Sequence, residues 1–258
     1  NLVALGIGTQ LLTAVGDDEV GDWLLGETTL AGVDITAAIK RVGMATGRYI
    51  AVLEPGGNLG VGLADMAAIE SLGRQDIEAA SSLINNATAI FADVNLVPDT
   101  LAAIFAIAAA TKTPVAVDLV SPAKLTRLPA DLSPIDLVVG NRLEAATLLG
   151  AGGATLDLAS AIVGRGAGAA VISDGDGPLG WCEKNVTGTA RGTLIPRHAE
   201  VVDVTGAGDA LHAGIIAARL GGASLQMASK AGLVAASRVV SSSAHALKIS
   251  ATEEISTP

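Results

Sequence analysis

The chain has 258 residues, half of them apolar, and a formal net charge of −10 from 26 acidic and 16 basic side chains. This length allows a large core in one or two domains. The acidic balance excludes a chain-wide basic surface, so we expect no nucleic-acid partner. A single cysteine, Cys182, excludes an intramolecular disulfide framework and a cysteine-rich zinc site.

The sequence also gives no indication of membrane insertion. No apolar run reaches the roughly 20 residues that a spanning helix needs, and no signal peptide is visible. We therefore expect a cytoplasmic protein without a membrane partner. The sequence opens on Asn1 and then reads as the end of a helix, Leu2–Leu5, closed by Gly6. We expect that the N-terminal part of the fold lies before Asn1.

A helical pattern and then a β pattern occupy the first quarter of the chain. Leu11–Val15 is predicted as a strand and Glu19–Leu30 as a helix. Strands are then predicted at Arg48–Glu54 and Leu59–Ala64, joined by a Pro-Gly-Gly-Asn hairpin connection at residues 55–58. We predict a main α/β domain of residues 1–33 and 66–258, and a small β lid of residues 34–65.

Strands and helices are predicted to alternate from Asp76 onward. In chain order the segments are helix Ile77–Asn85, strand Ala89–Ala92, helix Pro98–Ala110, strand Pro114–Val117, a short helix or turn at Ser121–Leu128, strand Ile135–Val139, helix Arg142–Leu149, helix Asp157–Val163, strand Ala169–Ile172, antiparallel strands Leu179–Glu183 and Thr189–Ile195, and helix Leu225–Val240. This alternation predicts a mostly parallel sheet with helices on both faces.

Polar residues follow the predicted strands of this sheet. In open α/β sheets, ligands bind beyond the carboxyl ends of the strands. The residues predicted at this edge are Asp93, Asn95, Asp118, Asn141, Ser173 and the turn at 205–208.

A glycine turn at residues 201–210 is predicted between a strand end and a helix start. The backbone N–H groups of Gly206, Ala207 and Gly208, together with the positive end of the helix dipole, would form an anion site. Asp209 would lie beside that site, where a carboxylate can act as a base on a hydroxyl attacking a phosphate. The alternative is an ordinary helix N-terminus with an acidic residue in its first turn.

Four segments of the chain resemble motifs of the ribokinase-type (PfkB) sugar and nucleoside kinases. They are Asp203–Asp209 followed by Ala210 and Gly214, Asn141–Glu144 (Asn-x-x-Glu), Val15–Asp18 with Gly21, and Thr46-Gly47. They stand in the family's order and span essentially the whole chain. The resemblance implies a three-layer ribokinase-like fold with a β lid, and transfer of a phosphoryl group from ATP to a hydroxyl.

Within the family, five segments resemble the pseudouridine kinases. They are Asn1–Gly6, Ala64–Met66, Ala92–Asn95, Val117–Ser121 and Asn141–Ala145. This implies phosphorylation of the 5′-hydroxyl of pseudouridine. The alternatives are a kinase for another sugar or nucleoside (ribose, adenosine or a ketose) and a non-catalytic nucleoside- or nucleotide-binding protein. A pure binder has no need of a base, so Asp209 argues against the last.

The sequence departs from the family pattern at three places. The Gly-Gly motif and the first strand, with its hydroxyl-binding aspartate, would lie before Asn1. Val204 stands where many members have threonine. Pro178 stands where the nucleotide loop, Ser173–Gly180, is expected to have its second glycine.

The resemblance also implies roles for individual residues. Asp209 would be the base, and Gly206, Ala207 and Gly208 would form the anion hole. Nucleotide and phosphate contacts are implied for Asn141, Glu144, Ser173, Gly175 and Thr205. Asn141 and Glu144 would also organise Mg²⁺, since hard oxygen ligands suit this ion. Asp118 would hold metal-bound water or, alternatively, cap the next turn through Ser121.

Further predictions concern cations, substrate and assembly. A K⁺ site is predicted at Asp203 and the loop 241–246, including Ser243. Substrate contacts are predicted for Arg48, Asp65, Asp93 and Asn95. His212 is expected to be a packed residue or, alternatively, a contact to the nucleotide edge. The apolar lid side chains Ile50, Val52, Val61 and Leu63 predict a homodimer formed through the lid.

Overall fold

A computed structural model describes residues 1–53 and 59–247. The strands are β1 Ala14–Gly16, β2 Ile39–Arg41, β3 Arg48–Leu53, β4 Leu59–Asp65, β5 Ile90–Asp93, β6 Val115–Asp118, β7 Leu137–Asn141, β8 Ala169–Ser173, β9 Leu179–Asn185 and β10 Gly188–Leu194. The α-helices are α1 Glu19–Leu30, α2 Ala67–Glu70, α3 Arg74–Ala79, α4 Ser81–Asn86, α5 Pro98–Thr111, α6 Arg142–Leu149, α7 Thr155–Gly164, α8 Ala207–Leu220 and α9 Leu225–Val240. Short 3₁₀ turns lie at Val3–Leu5 and Pro122–Arg127.

The central sheet has the order β10-β9-β8-β7-β6-β5. Strands β5 to β8 are parallel, while β9 runs antiparallel to β8 and β10 antiparallel to β9. Helices connect the parallel strands and cover both faces of the sheet. The predicted mostly parallel α/β fold is therefore confirmed.

Two apolar layers, one on each face, hold the helices against the sheet. On one face, Val117 and Val138 pack in a buried cluster that includes Leu101 of α5 and Leu158 and Ile162 of α7. On the other face, Val139 and Val171 share a cluster with Leu211 and Ile215 of α8 and Leu225 and Ala228 of α9. Adjacent residues of a strand point to opposite faces, so the continuous apolar run of β7 serves both layers.

Helices α8 and α9 approach each other closely at two glycines. A Cβ atom on Gly214 would lie 2.8 Å from the Cα of Gly232, and one on Gly232 would lie 2.6 Å from the carbonyl oxygen of Leu211. A larger residue at either position would push the helices apart. This contact fixes α8, whose first turn contains the glycine turn of the site.

Strands β3 and β4 form a separate antiparallel pair in the segment predicted as the lid. Their side chains Tyr49, Ile50, Val52 and Leu63 are each more than half exposed. The predicted hairpin connection at 55–58 lies outside the described residues. Strand β2, also within 34–65, pairs in parallel with β1 of the first segment. The division into a domain and a lid stays a prediction.

Several predicted elements have different bounds in the structure. The helix predicted at Ile77–Asn85 is two short helices, α3 and α4, because the backbone of Ala80 (φ −87°, ψ 9°) leaves the helical region between them. The strand predicted from Leu11 begins only at Ala14. None of the helices within residues 1–53 and 59–247 has the length and apolarity needed to cross a bilayer.

Candidate active site

Polar side chains stand at the carboxyl ends of four neighbouring strands. Asp93, Asp118, Asn141 and Ser173 are the last residues of β5, β6, β7 and β8. Asp93 lies opposite Asp118 in the strand register, and Asn141 lies opposite Ser173. The parallel pairing brings these residues to the one edge predicted from the sequence.

The glycine turn leads directly into helix α8. Gly206 has φ +79°, and a Cβ atom there would lie 1.9 Å from the carbonyl oxygen of His245. Glycine is therefore required by both the left-handed backbone and the space. The N–H of Ala207 donates to the carbonyl of Val204 at 3.2 Å. Gly208 lies in the first turn of α8, where N–H groups have no intrahelical acceptor and can face an anion.

Asp203 makes hydrogen-bond contacts with Thr205 of this turn and with His245. Its Oδ1 accepts the N–H of Thr205 at 2.8 Å, and its Oδ2 lies 3.1 Å from Nε2 of His245. The hydrogen bonds from Thr205, followed by the His245 contact, lower the pKa of this carboxyl. Ser243 is exposed in the adjoining loop. The monovalent cation assigned to Asp203 and Ser243 stays a prediction.

Asp209 lies in the first turn of α8. Burial raises the pKa of its carboxyl above the ordinary value, and the negative charge of Asp118 raises it further, while His212 acts in the opposite direction. Asp93 adds a smaller effect of the same sign as Asp118. A higher pKa makes this carboxylate a stronger base than an aspartate of ordinary pKa.

Asp118 is held at both carboxylate oxygens. Oδ2 lies 2.8 Å from Nδ1 of His212, and Oδ1 accepts the N–H of Val120 at 2.9 Å. Burial alone would raise the pKa of Asp118, but the hydrogen bond and charge of His212, together with the Val120 N–H, hold it below its usual range. The capping contact therefore goes to Val120, whereas the sequence suggested Ser121.

Asn141 and Glu144 form a capping box at the start of α6. Asn141 Oδ1 accepts the N–H of Glu144 at 2.9 Å, and Glu144 Oε2 accepts the N–H of Asn141 at 2.8 Å. Asn141 Nδ2 donates to the second Glu144 oxygen at 2.6 Å. Glu144 is buried, and burial, with a contribution from the charge of Asp118, raises its pKa against the lowering effect of the Asn141 N–H bond.

The predicted nucleotide loop adjoins a cavity of about 420 Å³. The cavity is lined by Asn141, Arg142, Leu143, Ala146, Asp174 and Gly175. Gly175 has φ +58°, and Asp174 forms an ion pair of 2.7 Å with Arg142. The Ser173 hydroxyl donates a hydrogen bond to the carbonyl of Gly140 at 3.4 Å. The loop therefore borders the start of α6, beside the capping box.

Asp93 and Asn95 belong to a polar network whose other members, Lys124, Arg127 and Glu70, were not predicted from the sequence. Asp93 accepts the backbone N–H of Asn95 at 2.8 Å, and Asn95 Oδ1 accepts a hydrogen bond from Lys124. Arg127 donates to the carbonyl of Asn95 at 2.5 Å and pairs with Glu70 at 2.5 Å. The spacing of Lys124 and Arg127 was an available signal, because positions three apart share a side of a 3₁₀ turn.

The lid residues assigned to substrate lie on the separate β3–β4 pair. Arg48 and Asp65 stand opposite each other at the open ends of β3 and β4, and both are exposed. Asp65 Oδ1 accepts the N–H of Ala67 at 3.2 Å. Their substrate role stays a prediction.

The predicted metal ligands do not form a preassembled cage. Across residues 1–53 and 59–247, no group of three His, Cys, Asp or Glu side chains is placed to hold a metal ion. Asp118 and Glu144 are close enough for the charge of one to affect the pKa of the other. Their Mg²⁺ role stays a prediction.

The fold, the glycine turn and a family comparison together indicate the class of the protein. A mostly parallel sheet covered on both faces, with a glycine turn and an aspartate at the start of a helix, is compatible with an α/β phosphotransferase. The chain belongs to the pfkB family of carbohydrate kinases, whose family model matches residues 1–251. It is accordingly a phosphotransferase with a hydroxyl acceptor.

Individual relatives show the same likeness. The chain is 32% identical to the pseudouridine kinase of Escherichia coli (strain K12) over 228 residues, which are 83% of this chain and 68% of that enzyme. It is 32% identical to a solved carbohydrate kinase from Agrobacterium tumefaciens, with a TM-score of 0.82 over 95% of this chain and 78% of that one. A putative ribokinase II from E. coli, solved in complex with ATP and Mg²⁺, shares 18% identity and a TM-score of 0.77 over 95% of this chain and 80% of that one.

Proposed function

We propose that the protein transfers the γ-phosphoryl group of ATP to the 5′-hydroxyl of pseudouridine, giving pseudouridine 5′-phosphate. The observation that supports transfer to a hydroxyl is the position of Asp209, in the first turn of α8 immediately after the Gly206 backbone bend. The choice of pseudouridine rests on the 32% identity to the E. coli enzyme and on the segments that resemble its branch.

In this proposal Asp209 accepts the proton of the attacking hydroxyl. Burial and the neighbouring Asp118 charge raise its pKa, which favours proton acceptance in the transition state. The N–H of Gly208 faces the transferring phosphoryl group at the positive end of α8. Phosphoryl transfer depends mainly on positioning and charge stabilisation, and a fixed helix terminus provides both.

The nucleotide is expected to enter along the loop at Ser173 and Gly175, beside the 420 Å³ cavity. Thr205 is proposed to contact its phosphates. The ribokinase-like relative solved with ATP and Mg²⁺ supports the choice of cofactors. The donor set fits Mg²⁺ held largely through water and phosphate oxygens, because the local ligands are a few hard carboxylates. Asp118, Glu144 and Asn141 would hold the ion, which would neutralise phosphate charge. K⁺ would bind near Asp203 and Ser243.

Two further proposals concern the setting of the enzyme. The exposed apolar side chains Tyr49, Ile50, Val52 and Leu63 on the β3–β4 pair support a homodimer formed through this sheet. A cytoplasmic location follows from the expected substrate and cofactor, both of which are intracellular metabolites. The side chains proposed to contact the acceptor are Arg48, Asp65, Asp93 and Asn95.

A coupled ADP-release assay tests the proposed reaction. Pseudouridine, uridine, adenosine, ribose and a ketose phosphate are compared at equal concentration with ATP and Mg²⁺. We expect the highest kcat/KM with pseudouridine and a loss of at least about 100-fold in kcat for Asp209→Asn. Turnover of ribose as fast as that of pseudouridine would show another sugar kinase. Tight ligand binding with no phosphorylated product would show a binding protein.

A further inference from the structure

His212 connects helix α8 to the end of strand β6. It lies three residues after Asp209 in α8, so both side chains share one face of the helix. The imidazole is buried, with 6% of the residue exposed, and its Nδ1 lies 2.8 Å from Oδ2 of Asp118. This contact joins residues 94 positions apart in the sequence.

The other oxygen of Asp118 is attached to a strained turn. Oδ1 accepts the N–H of Val120, whose φ is +56° although valine is β-branched and disfavours this region. Ser121 N–H donates to the carbonyl of Leu119 at 2.6 Å across the same turn. The hydrogen bonds from the strained turn and from His212 together hold the Asp118 carboxylate in one orientation.

Asp118 and His212 both influence the two other acidic groups of the site, Asp209 and Glu144. The charge of Asp118 raises the pKa of both Asp209 and Glu144, whereas His212 lowers both. The three carboxylates therefore interact. Asp118 affects both of the others, and the His212 imidazole is the hydrogen-bond partner of Asp118. A rotation of Asp118 would change the field at Asp209 as well as the donor set available to a hydrated cation.

We propose that His212 is a positioning residue for phosphoryl transfer, which holds the Asp118 carboxylate in the orientation that the site requires through the Nδ1 hydrogen bond. This inference rests on the proposed function. His212 does not touch the reacting atoms; it acts through Asp118. Its neutral tautomer would carry the proton on Nδ1, because an ionised carboxylate can only accept.

Two substitutions separate the hydrogen bond from the packing. His212→Leu fills a similar volume without a donor, whereas His212→Asn places an amide nitrogen near the position of Nδ1. We expect His212→Leu to reduce kcat by about 10- to 100-fold, with the KM for the acceptor changed by less than about threefold. His212→Asn should recover kcat to within about fivefold of the wild type. His198→Leu, at an exposed histidine, is the matched control.

A measurement without turnover tests the contact itself. In ¹⁵N-histidine spectra of the nucleotide-free protein, we expect one imidazole protonated at Nδ1 whose signal is altered by Asp118→Asn. If His212→Leu does not fold, the double-mutant cycle of His212→Met with Asp118→Asn replaces it, because methionine lacks the N–H donor that asparagine keeps, and we expect non-additive losses in kcat.

The outcomes distinguish this inference from the proposed function. An active wild type with equal kcat for His212→Leu overturns the positioning role and leaves the kinase assignment intact. Equal losses for His212→Leu and His212→Asn, additive losses in the cycle, or no Nδ1-protonated imidazole also overturn it. A wild type inactive with every acceptor overturns both proposals, although the Nδ1 signal would still report the contact.

Discussion

The Thr46 hydroxyl oxygen lies 2.5 Å from Oδ1 of Asp18, and the Thr46 backbone N–H donates to Oδ2 of the same carboxylate at 2.9 Å. Asp18 also caps α1 by accepting the N–H of Gly21 at 2.8 Å, while Thr46 accepts the N–H of Gly16 at 3.0 Å. Two sequence motifs some thirty residues apart thus form one hydrogen-bonded unit, immediately before strand β3.

These contacts predict how the stability of the fold depends on pH. The Thr46 hydrogen bonds, side chain first, lower the pKa of Asp18 to about 2. A depressed folded-state pKa contributes stability above the ordinary value near 4, and this contribution is lost as the pH falls toward 2. Thr46→Val removes the hydroxyl, so we expect a lower Tm at pH 7 and a smaller fall in Tm between pH 4 and pH 2.

Thermal unfolding followed by circular dichroism across this pH range measures the effect. Thr28→Val is the control, because the Thr28 hydroxyl donates to the carbonyl of Leu24 and has no carboxylate partner in that bond. A Thr46→Val curve parallel to that of the wild type would contradict the assignment of this acid sensitivity to Asp18.

The raised pKa of Asp209 predicts the acid limb of the kinase reaction. The base must be ionised, so kcat should rise with pH through a midpoint above the ordinary value of 3.8. Asp118→Asn removes a negative charge that raises this pKa, and we expect the midpoint to move to lower pH whatever happens to the maximal rate. Profiles of kcat at saturating substrates measure the midpoint. Asp99→Asn, at an exposed position of α5, should leave the midpoint in place. A limb unmoved by Asp118→Asn would argue against Asp209 as the base.

Local signals predicted the helices with well-defined caps. The bounds of Arg142–Leu149 were predicted as observed because Asn141 caps its start and Gly150, with φ +66°, ends it. The strand ends were predictable for a similar reason, since each apolar run stops at a polar residue. The parallel order of the strands then brings those ends to one edge.

Contacts between distant segments were not predictable from periodicity. Asp118 and His212 are brought together only by the packing of α8 on the sheet, and nothing in either local sequence indicates the pairing. Glu144 illustrates a different difficulty. Its spacing from Asn141 fits a cation site and a capping box equally well, and only the structure shows the side chain buried and bonded to Asn141.

The glycine turn provides the sharpest test of backbone geometry. Gly206→Ala would place a left-handed alanine, at about 1–2 kcal/mol, and a Cβ atom 1.9 Å from the His245 carbonyl, an overpacking cost of about 1–3 kcal/mol. We expect the free energy of unfolding to fall by about 2–5 kcal/mol, and kcat to fall because the turn that presents Asp209 must move.

Gly208→Ala is the matched control for that substitution. A Cβ atom on Gly208 has no neighbour within 4 Å, and the residue already has a helical backbone. Replacing a helical glycine with alanine stabilises by up to about 1 kcal/mol. Urea unfolding of the two variants should therefore give midpoints on opposite sides of the wild type. Equal midpoints would contradict the close approach of the His245 carbonyl to position 206. They would also show that the start of α8 does not require a left-handed glycine.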